Sequence, residues 1–421
     1  MVTFNADQEK AREMFDTFMS DPSIEEMGLV GPPGRGKSWL VNQLIIAERK
    51  KKNIMNHLLD ENDRINIALT ATSNESACLI GETCDMPATT IHSLLGLRVM
   101  NDYATGETYL QKTRDYRYQS GMLVIIDEAG WVNKEMLGLI RNTLSNCKIL
   151  YVYDHKQLTS VNKKNGSIST CAVHSEVPYT AYLGINERNL NPIGILGDRF
   201  RDSVDQDYFP KIEEFPGFVE RIDDNQFDEL INEHFVEKKS DARILCWTNN
   251  LVKEYNEIVR ERIYPYEEFC EYETVVTNKP ILSTNKEVLY PTDSRITVKK
   301  VVKQDHLFGV FGYFIETTEG TELFVPYDMD EVNGLIKEAS KRKDWFTYFR
   351  YMENFNDLRP MYASTVHKIQ GKTNSVTFVD LGDIGRNPNR EEVKRLLGVA
   401  FSRPRDKLYL YGELPAKYRG D

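Results

Sequence analysis

The sequence predicts an α/β protein organised around parallel sheets, and three observations carry that expectation. A short apolar run, Met27 to Val30, ends in the glycine-rich turn Gly31-Pro-Pro-Gly34-Arg-Gly36-Lys37-Ser38, after which Leu40, Val41, Leu44 and Ile45 recur at helical spacing. A second run, Met122-Leu-Val-Ile-Ile126, is apolar at every position, the pattern of a strand covered on both faces, and it ends in Asp127-Glu128. Further along, the strand-like RILCW runs into Thr248-Asn249-Asn-Leu-Val252, and the helical stretch EEVKRLLGVA precedes the strand-like KLYLY.

The first of these elements specifies a ligand. Strand, G-x-x-x-x-G-K-[ST] and helix in succession form a polyphosphate cradle: Gly31, Gly34 and Gly36 let the backbone turn its N–H groups toward the phosphates, and the helix N-terminus adds positive potential. Lys37 can reach the β- and γ-phosphates, and the Ser38 hydroxyl can hold Mg²⁺. The second element supplies what hydrolysis needs. Asp127, at a strand end, is expected to hold the same Mg²⁺ through water, and Glu128 to accept a proton from the attacking water. A nucleoside triphosphate and Mg²⁺ are therefore the expected ligands.

Composition narrows the classes further. The 421 residues carry 64 Asp+Glu against 53 Lys+Arg, a net charge of −11, which excludes a protein that coats nucleic acid by bulk charge. Residues 200 to 240 hold 12 acidic and 5 basic side chains, so this segment carries −7 of the −11 and is expected to be a solvated outer face. Six cysteines occur without a C-x-x-C, which argues against a zinc site and for buried free thiols in a reducing cytoplasm. No apolar run approaches the roughly 18 residues of a membrane span. The length suggests two to four domains.

Four later segments complete a series. Thr89-Thr90-Ile-His92-Ser93, Tyr153-Asp-His-Lys-Gln157-Leu158, Ser364-Thr365-Val-His367-Lys-Ile-Gln370-Gly371 and Val399-Ala-Phe-Ser402-Arg403 follow the glycine turn and the Asp-Glu pair in the order of helicase motifs Ib, III, V and VI. From Gln8 to the strand after Arg403, the chain resembles superfamily 1 helicases of the B type, the RecD-like group, and most closely the phage Dda-type helicases. That resemblance implies two RecA-like lobes, with Arg403 as an arginine finger, Arg188 as the motif IV arginine, Gln157 as the γ-phosphate sensor and Gln8 as the adenine reader. Two departures stand out: Tyr153 and Ser160 replace a glycine and a proline of motif III, and Gly130 stands where a serine is common after the Asp-Glu-Ala.

A motor of this kind grips one strand through local polar donors and not through its overall charge. The candidates are Ser73, Asn74, Thr90 and His92 in the first lobe, then Thr248, Asn249, Ser364, Thr365 and His367 in the second; each hydroxyl also reads as a helix N-cap. Asn256 completes the family's Thr-Asn-x-x-Val-x-x-x-Asn pattern. The expected organisation is a first lobe at 1–97 and 117–190, a hairpin at 98–116 and a second lobe at 191–264 and 356–421. A small β-barrel with a following helix is expected at 265–355. In the resembled family the hairpin is the pin that splits the duplex, and Tyr103 or Tyr109 would present a ring to the fork.

The expected activity is an ATP-dependent DNA helicase that moves 5′ to 3′ as a monomer on single-stranded DNA and opens a duplex fork. Replication or recombination proteins are its expected partners, in the cytoplasm of a bacterial host if phage-encoded. Alternatives are an RNA-stimulated translocase or a nucleotide-switched assembly factor that does not unwind.

Overall fold

The computed structural model describes residues 3–55, 66–102, 108–112, 118–156, 171–185, 191–204, 206–265, 269–283, 288–369 and 372–420. The chain divides into two compact units, one made of Met1–Leu97, Lys112–Arg221 and Val366–Asp421, the other of Arg98–Gln111 and Ile222–Thr365.

The first unit is built on a six-stranded sheet in the order Ala88–Thr90, Asn66–Ala71, Met122–Asp127, Lys148–Tyr153, Glu26–Val30, Thr180–Tyr182. Every neighbouring pair in it is parallel. The continuous apolar runs follow from burial on both faces. Leu123, Ile125, Leu150 and Val152 pack with Phe15, Phe18, Leu40 and Leu44 on one side. Val124, Ile126, Ile149 and Tyr151 pack with Leu137 and Ile140 on the other. Arg141 anchors the latter face's helix, Lys134–Thr143, by pairing with both Glu26 and Glu176 at 2.8 Å. The same unit also carries the parallel strands Asn374–Asp380 and Pro404–Tyr411 and the helices Pro192–Asp202 and Arg390–Phe401. The α/β architecture with parallel sheets is thus the one the sequence predicts.

In the second unit Ala242–Cys246 pairs in parallel with Ala363–Thr365, and the helix Asn249–Ile263 covers them. Residues between these segments form a five-stranded antiparallel sheet in the order Glu322–Pro326, Val310–Thr317, Arg295–Leu307, Thr274–Thr277, Leu358–Arg359. Its turn at Gly320 has φ +84°, the left-handed conformation that glycine adopts without a Cβ penalty. Two helices follow where the sequence reads as one. Met329–Lys341 stops because Lys343 takes φ +58°, and Asp344 then caps Trp345–Asn354 by accepting from the Thr347 N–H. Of the aromatic side chains there, Phe349 and Phe355 are buried and Phe346 is exposed.

Strands Leu97–Asn101 and Thr108–Lys112 form a two-stranded sheet where the hairpin is expected. Tyr103 lies outside the described residues, and of Tyr109 only the backbone, in the second of these strands, is described. In the acidic 200–240 segment Asp202, Glu213, Glu214, Asp228 and Glu237 are exposed, while Phe200, Phe209, Val219, Phe227 and Ile231 turn inward. All six cysteines are free; Cys84, Cys147, Cys171 and Cys246 are buried, but Cys78 is exposed, against the expectation of burial. Among the described residues no helix is long and apolar enough to cross a membrane.

Candidate functional site

Met122–Asp127, Lys148–Tyr153 and Glu26–Val30 lie side by side in the first unit, so the residues that follow them emerge at one edge of the sheet. Those residues are Asp127-Glu128, Asp154 and the loop Gly31 to Lys37. The loop is tied to its neighbour by the Gly31 N–H, which donates to the Tyr153 carbonyl at 3.2 Å. Two kinds of glycine build it. A Cβ on Gly31 would meet the Leu183 carbonyl oxygen at 2.7 Å, so this glycine permits close approach. Gly34 and Gly36 instead take φ of 78° and 77°, which turns the chain into the helix Lys37–Met55.

Lys37 donates from Nζ to the carbonyls of Gly31, at 2.6 Å, and Pro32, at 3.0 Å. Burial lowers its pKa, against the pull of Asp154, Glu128 and Asp127. The acidic pair responds in the opposite sense. Burial, then the charge of Glu128, raises the Asp127 pKa, while Glu128 is raised by burial against the opposing charges of Lys37 and Arg403. Glu128 also holds φ +51°, a conformation uncommon outside glycine and frequent at functional sites. A half-buried carboxylate whose charge is disfavoured, together with the hydroxyl of Ser38 in the first turn of Lys37–Met55, is a donor set that fits a divalent cation held jointly with phosphate oxygens.

Around these groups the structure places three cations that sequence reasoning missed, Arg201, Arg35 and Arg395. Arg201, on Pro192–Asp202, bonds both oxygens of Asp154, at 3.2 Å from Nε and 2.9 Å from Nη2. Burial opposes the Asp154 charge, but Arg201 and then Lys37 hold its pKa below the usual range. Arg35, inside the glycine loop and buried, donates from Nη2 to Asp198 at 2.6 Å, while its Nε and Nη1 meet no hydrogen-bond partner among the described residues. Arg395 donates to the Lys156 carbonyl at 2.9 Å. Pro33, Asp154, Asp198, Arg201, Arg395 and Ser402 line one cleft. Arg403 is buried and donates to the carbonyls of Val399 and Lys372 and to the Ser402 hydroxyl, with its charge felt at Glu128. Nothing in the sequence separates Arg201 from Arg199, which merely pairs with the exposed Glu213.

The strand-grip candidates fall into two sets. In the first unit Ser73 caps Asn74–Cys84 and Thr90 caps Ile91–Leu94, each accepting from a backbone N–H three residues on. Ala71 stands opposite both Thr90 and Asp127 in the sheet register, which puts these caps at the same edge as the acidic pair. Burial lowers the pKa values of His92 and His367, and His367 Nε2 lies 3.8 Å from Glu392. In the second unit Leu245 faces Ser364 and Cys246 faces Thr365, so Thr248-Asn249 and Ser364-Thr365 emerge from neighbouring strands. Asn256 serves the fold instead. Its Oδ1 accepts from the N–H groups of Tyr362 and Ala363, both at 2.9 Å, and its Nδ2 donates to the Ala363 carbonyl, which welds the helix to the strand. The Ser364 hydroxyl is buried without a hydrogen-bond partner among the described residues.

Gln8 is buried and closes a capping box with Asn5 through its side-chain oxygen, so it is not a solvated helix residue. Gln157, Ser160 and Arg188 lie outside the described residues.

Residues 21–163 match the AAA domain family. Over those residues fold and site together have the form of a P-loop nucleotide-binding domain. Across the chain's length the fold is that of Pif1 helicases: a structure of DNA unwinding at forked dsDNA by two coordinating Pif1 helicases gives a TM-score of 0.55 at 15% identity, covering 97% of this chain and 92% of that one. The Bacteroides Pif1 helicase in complex with ADP-AlF3 and ssDNA gives 0.54 at 13% identity, covering 100% and 94%. Pif1 helicase from Candida albicans gives 0.51 at 14%, covering 100% and 97%. The chain is also 20% identical to R530, an uncharacterized protein of Acanthamoeba polyphaga mimivirus, over 96% of this chain and 99% of that protein.

Proposed function

We propose that the protein is an ATP-dependent DNA helicase of the B type that moves 5′ to 3′ on single-stranded DNA and opens a duplex. The observation that carries this reading is the shared sheet edge: the phosphate loop, Asp127-Glu128 and the Ser73 and Thr90 caps all lie at the ends of one set of parallel strands. A nucleotide-driven change at Glu128 is therefore one strand away from groups suited to gripping phosphate. The Pif1 neighbours, described with ssDNA or forked DNA, support this reading.

In the cycle, backbone N–H groups of the glycine loop and Lys37 bind the triphosphate, and Glu128 takes the proton of the attacking water. Ser38 and Asp127 would hold Mg²⁺, which supplies charge neutralisation at the β- and γ-phosphates when bound. Arg403, with Arg35 and Arg201 nearby in the first unit, offsets the negative charge that builds up there. The hairpin, as a pin, and the small antiparallel sheet, as a barrel, would serve strand separation. The decisive experiment is ATP-driven unwinding of 5′-tailed and 3′-tailed DNA duplexes, with ATPase stimulation by single-stranded DNA and RNA measured alongside. Unwinding of the 5′-tailed duplex is expected. Equal basal and stimulated rates would favour a nucleotide switch.

A further inference from the structure

Four contacts in the first unit run from the hydrolytic groups through the strand loop to Arg403. Thr72 donates from Oγ1 to the Glu128 carbonyl at 3.2 Å and leads into the Ser73 cap. Two residues past that cap, Glu75 pairs with Lys372 at 2.5 Å. The Lys372 carbonyl in turn accepts from Arg403 Nη1 at 3.1 Å, and the Arg403 carbonyl accepts from the Asn374 N–H at 3.2 Å. The charge of Arg403 acts back on Glu128.

Three of these contacts involve backbone atoms and are fixed by the fold. The Glu75–Lys372 pair joins two flexible side chains, 28% and 27% exposed, beside the candidate strand donors Ser73 and Asn74. It is the link that an incoming anion can take over. Burial lowers the Lys372 pKa, so its charge is held at a cost that a second anion reduces.

We propose that Lys372 is a ligand for a phosphate of the bound single strand, held in reserve by Glu75 until the strand arrives. Glu75 is a competing anion: it occupies the ammonium in the strand-free protein and gives it up to the strand. The Lys372 carbonyl also accepts from Arg403, so the exchange takes place on the residue that holds the cation whose charge acts on Glu128. Glu75 is thus a positioning residue, and the inference rests on the helicase reading above.

The test is the concentration of single-stranded DNA that half-saturates ATPase stimulation in the full-length protein, measured from low to high salt. Lys372→Ala is expected to raise that concentration about tenfold and to reduce the salt slope by about 0.7, the share of one lost phosphate contact on a single strand. Lys372→Arg should retain the slope. Glu75→Gln is expected to lower the half-saturating concentration several-fold, because the competitor is gone. A pair that merely braces the fold predicts the same direction for both removals, so a common shift, or none, overturns the inference. If the unaltered protein shows no stimulation by single-stranded DNA, the helicase reading falls and the inference falls with it.

Discussion

Arg201 grips Asp154 in a two-pronged ion pair, Nε to Oδ2 at 3.2 Å and Nη2 to Oδ1 at 2.9 Å, across 47 residues of sequence. Asp154 is 1% exposed at its side chain and Arg201 15%; Arg201 also donates to Asp202 at 3.2 Å and Asp154 also accepts from the Lys156 N–H at 3.0 Å, so loss of Arg201 leaves the Asp154 charge buried without its paired cation. Arg201→Met should destabilise the first unit by about 3–5 kcal/mol, the usual cost of breaking a buried pair from one side. Adding Asp154→Leu should recover a large part of that loss. Urea denaturation of the single and double variants measures the coupling; additive losses would contradict it.

Lys37→Ala should lower ATP hydrolysis by at least about a hundredfold, as removal of a preorganised cation at the transferring phosphoryl group does. Strand affinity, read by fluorescence anisotropy with labelled single-stranded DNA, should remain. A stimulated ATPase that persists in this variant would sink the assignment of the site.

Asn256→Ala removes the acceptor for two backbone donors and the donor for one carbonyl, at a position where the Asn256 side chain is itself buried. Each unmet group costs about 1–3 kcal/mol, so the second unit should lose several kcal/mol. The loss should appear in chemical denaturation before any effect on nucleotide binding.

His155 stacks flat on His174, ring centroids 4.3 Å apart and planes 7° from parallel. Burial, then the His174 charge, pushes its pKa down to about 4, with Asp154 opposing and Arg201 and Lys156 adding to the shift. The folded protein therefore keeps His155 neutral where the unfolded chain, with an ordinary value near 6.5, binds a proton. Above about pH 6.5 the group contributes no pH dependence; as pH falls from there toward about 4, stability drops, because the unfolded state gains the proton first. His155→Gln should flatten this part of the stability profile, measured as the urea midpoint against pH. An unchanged slope would contradict the shift.

The parts legible in the sequence are those whose chemistry needs neighbouring residues. The glycine loop, Lys37, Ser38 and the Asp127-Glu128 pair are contiguous because a phosphate cradle and a strand end are local structures. The Thr248 to Asn256 spacing is equally readable, since one helix carries it, although only the structure explains Asn256 as a weld between helix and strand. Arg35–Asp198 spans 163 residues and Glu75–Lys372 spans almost 300, and no periodicity announces either pair. The break between Met329–Lys341 and Trp345–Asn354 falls in Ser340-Lys-Arg-Lys-Asp344, where no glycine or proline marks a stop; the left-handed turn sits on a lysine, a residue with no turn signature. Ser73 and Thr90 illustrate the converse, since a cap and a phosphate donor ask for the same hydroxyl at the same place.

Cys78 lies on the helix that follows the Ser73 cap, three residues beyond Glu75. It is the exposed member of the six cysteines, and burial together with a contact to Glu82 at 3.6 Å raises its pKa. At mildly alkaline pH a maleimide dye should therefore attach here in preference to the buried thiols, without any engineered residue. A fluorophore so placed would sit beside the loop expected to meet the strand, and its intensity during single turnovers would time strand arrival against phosphate release.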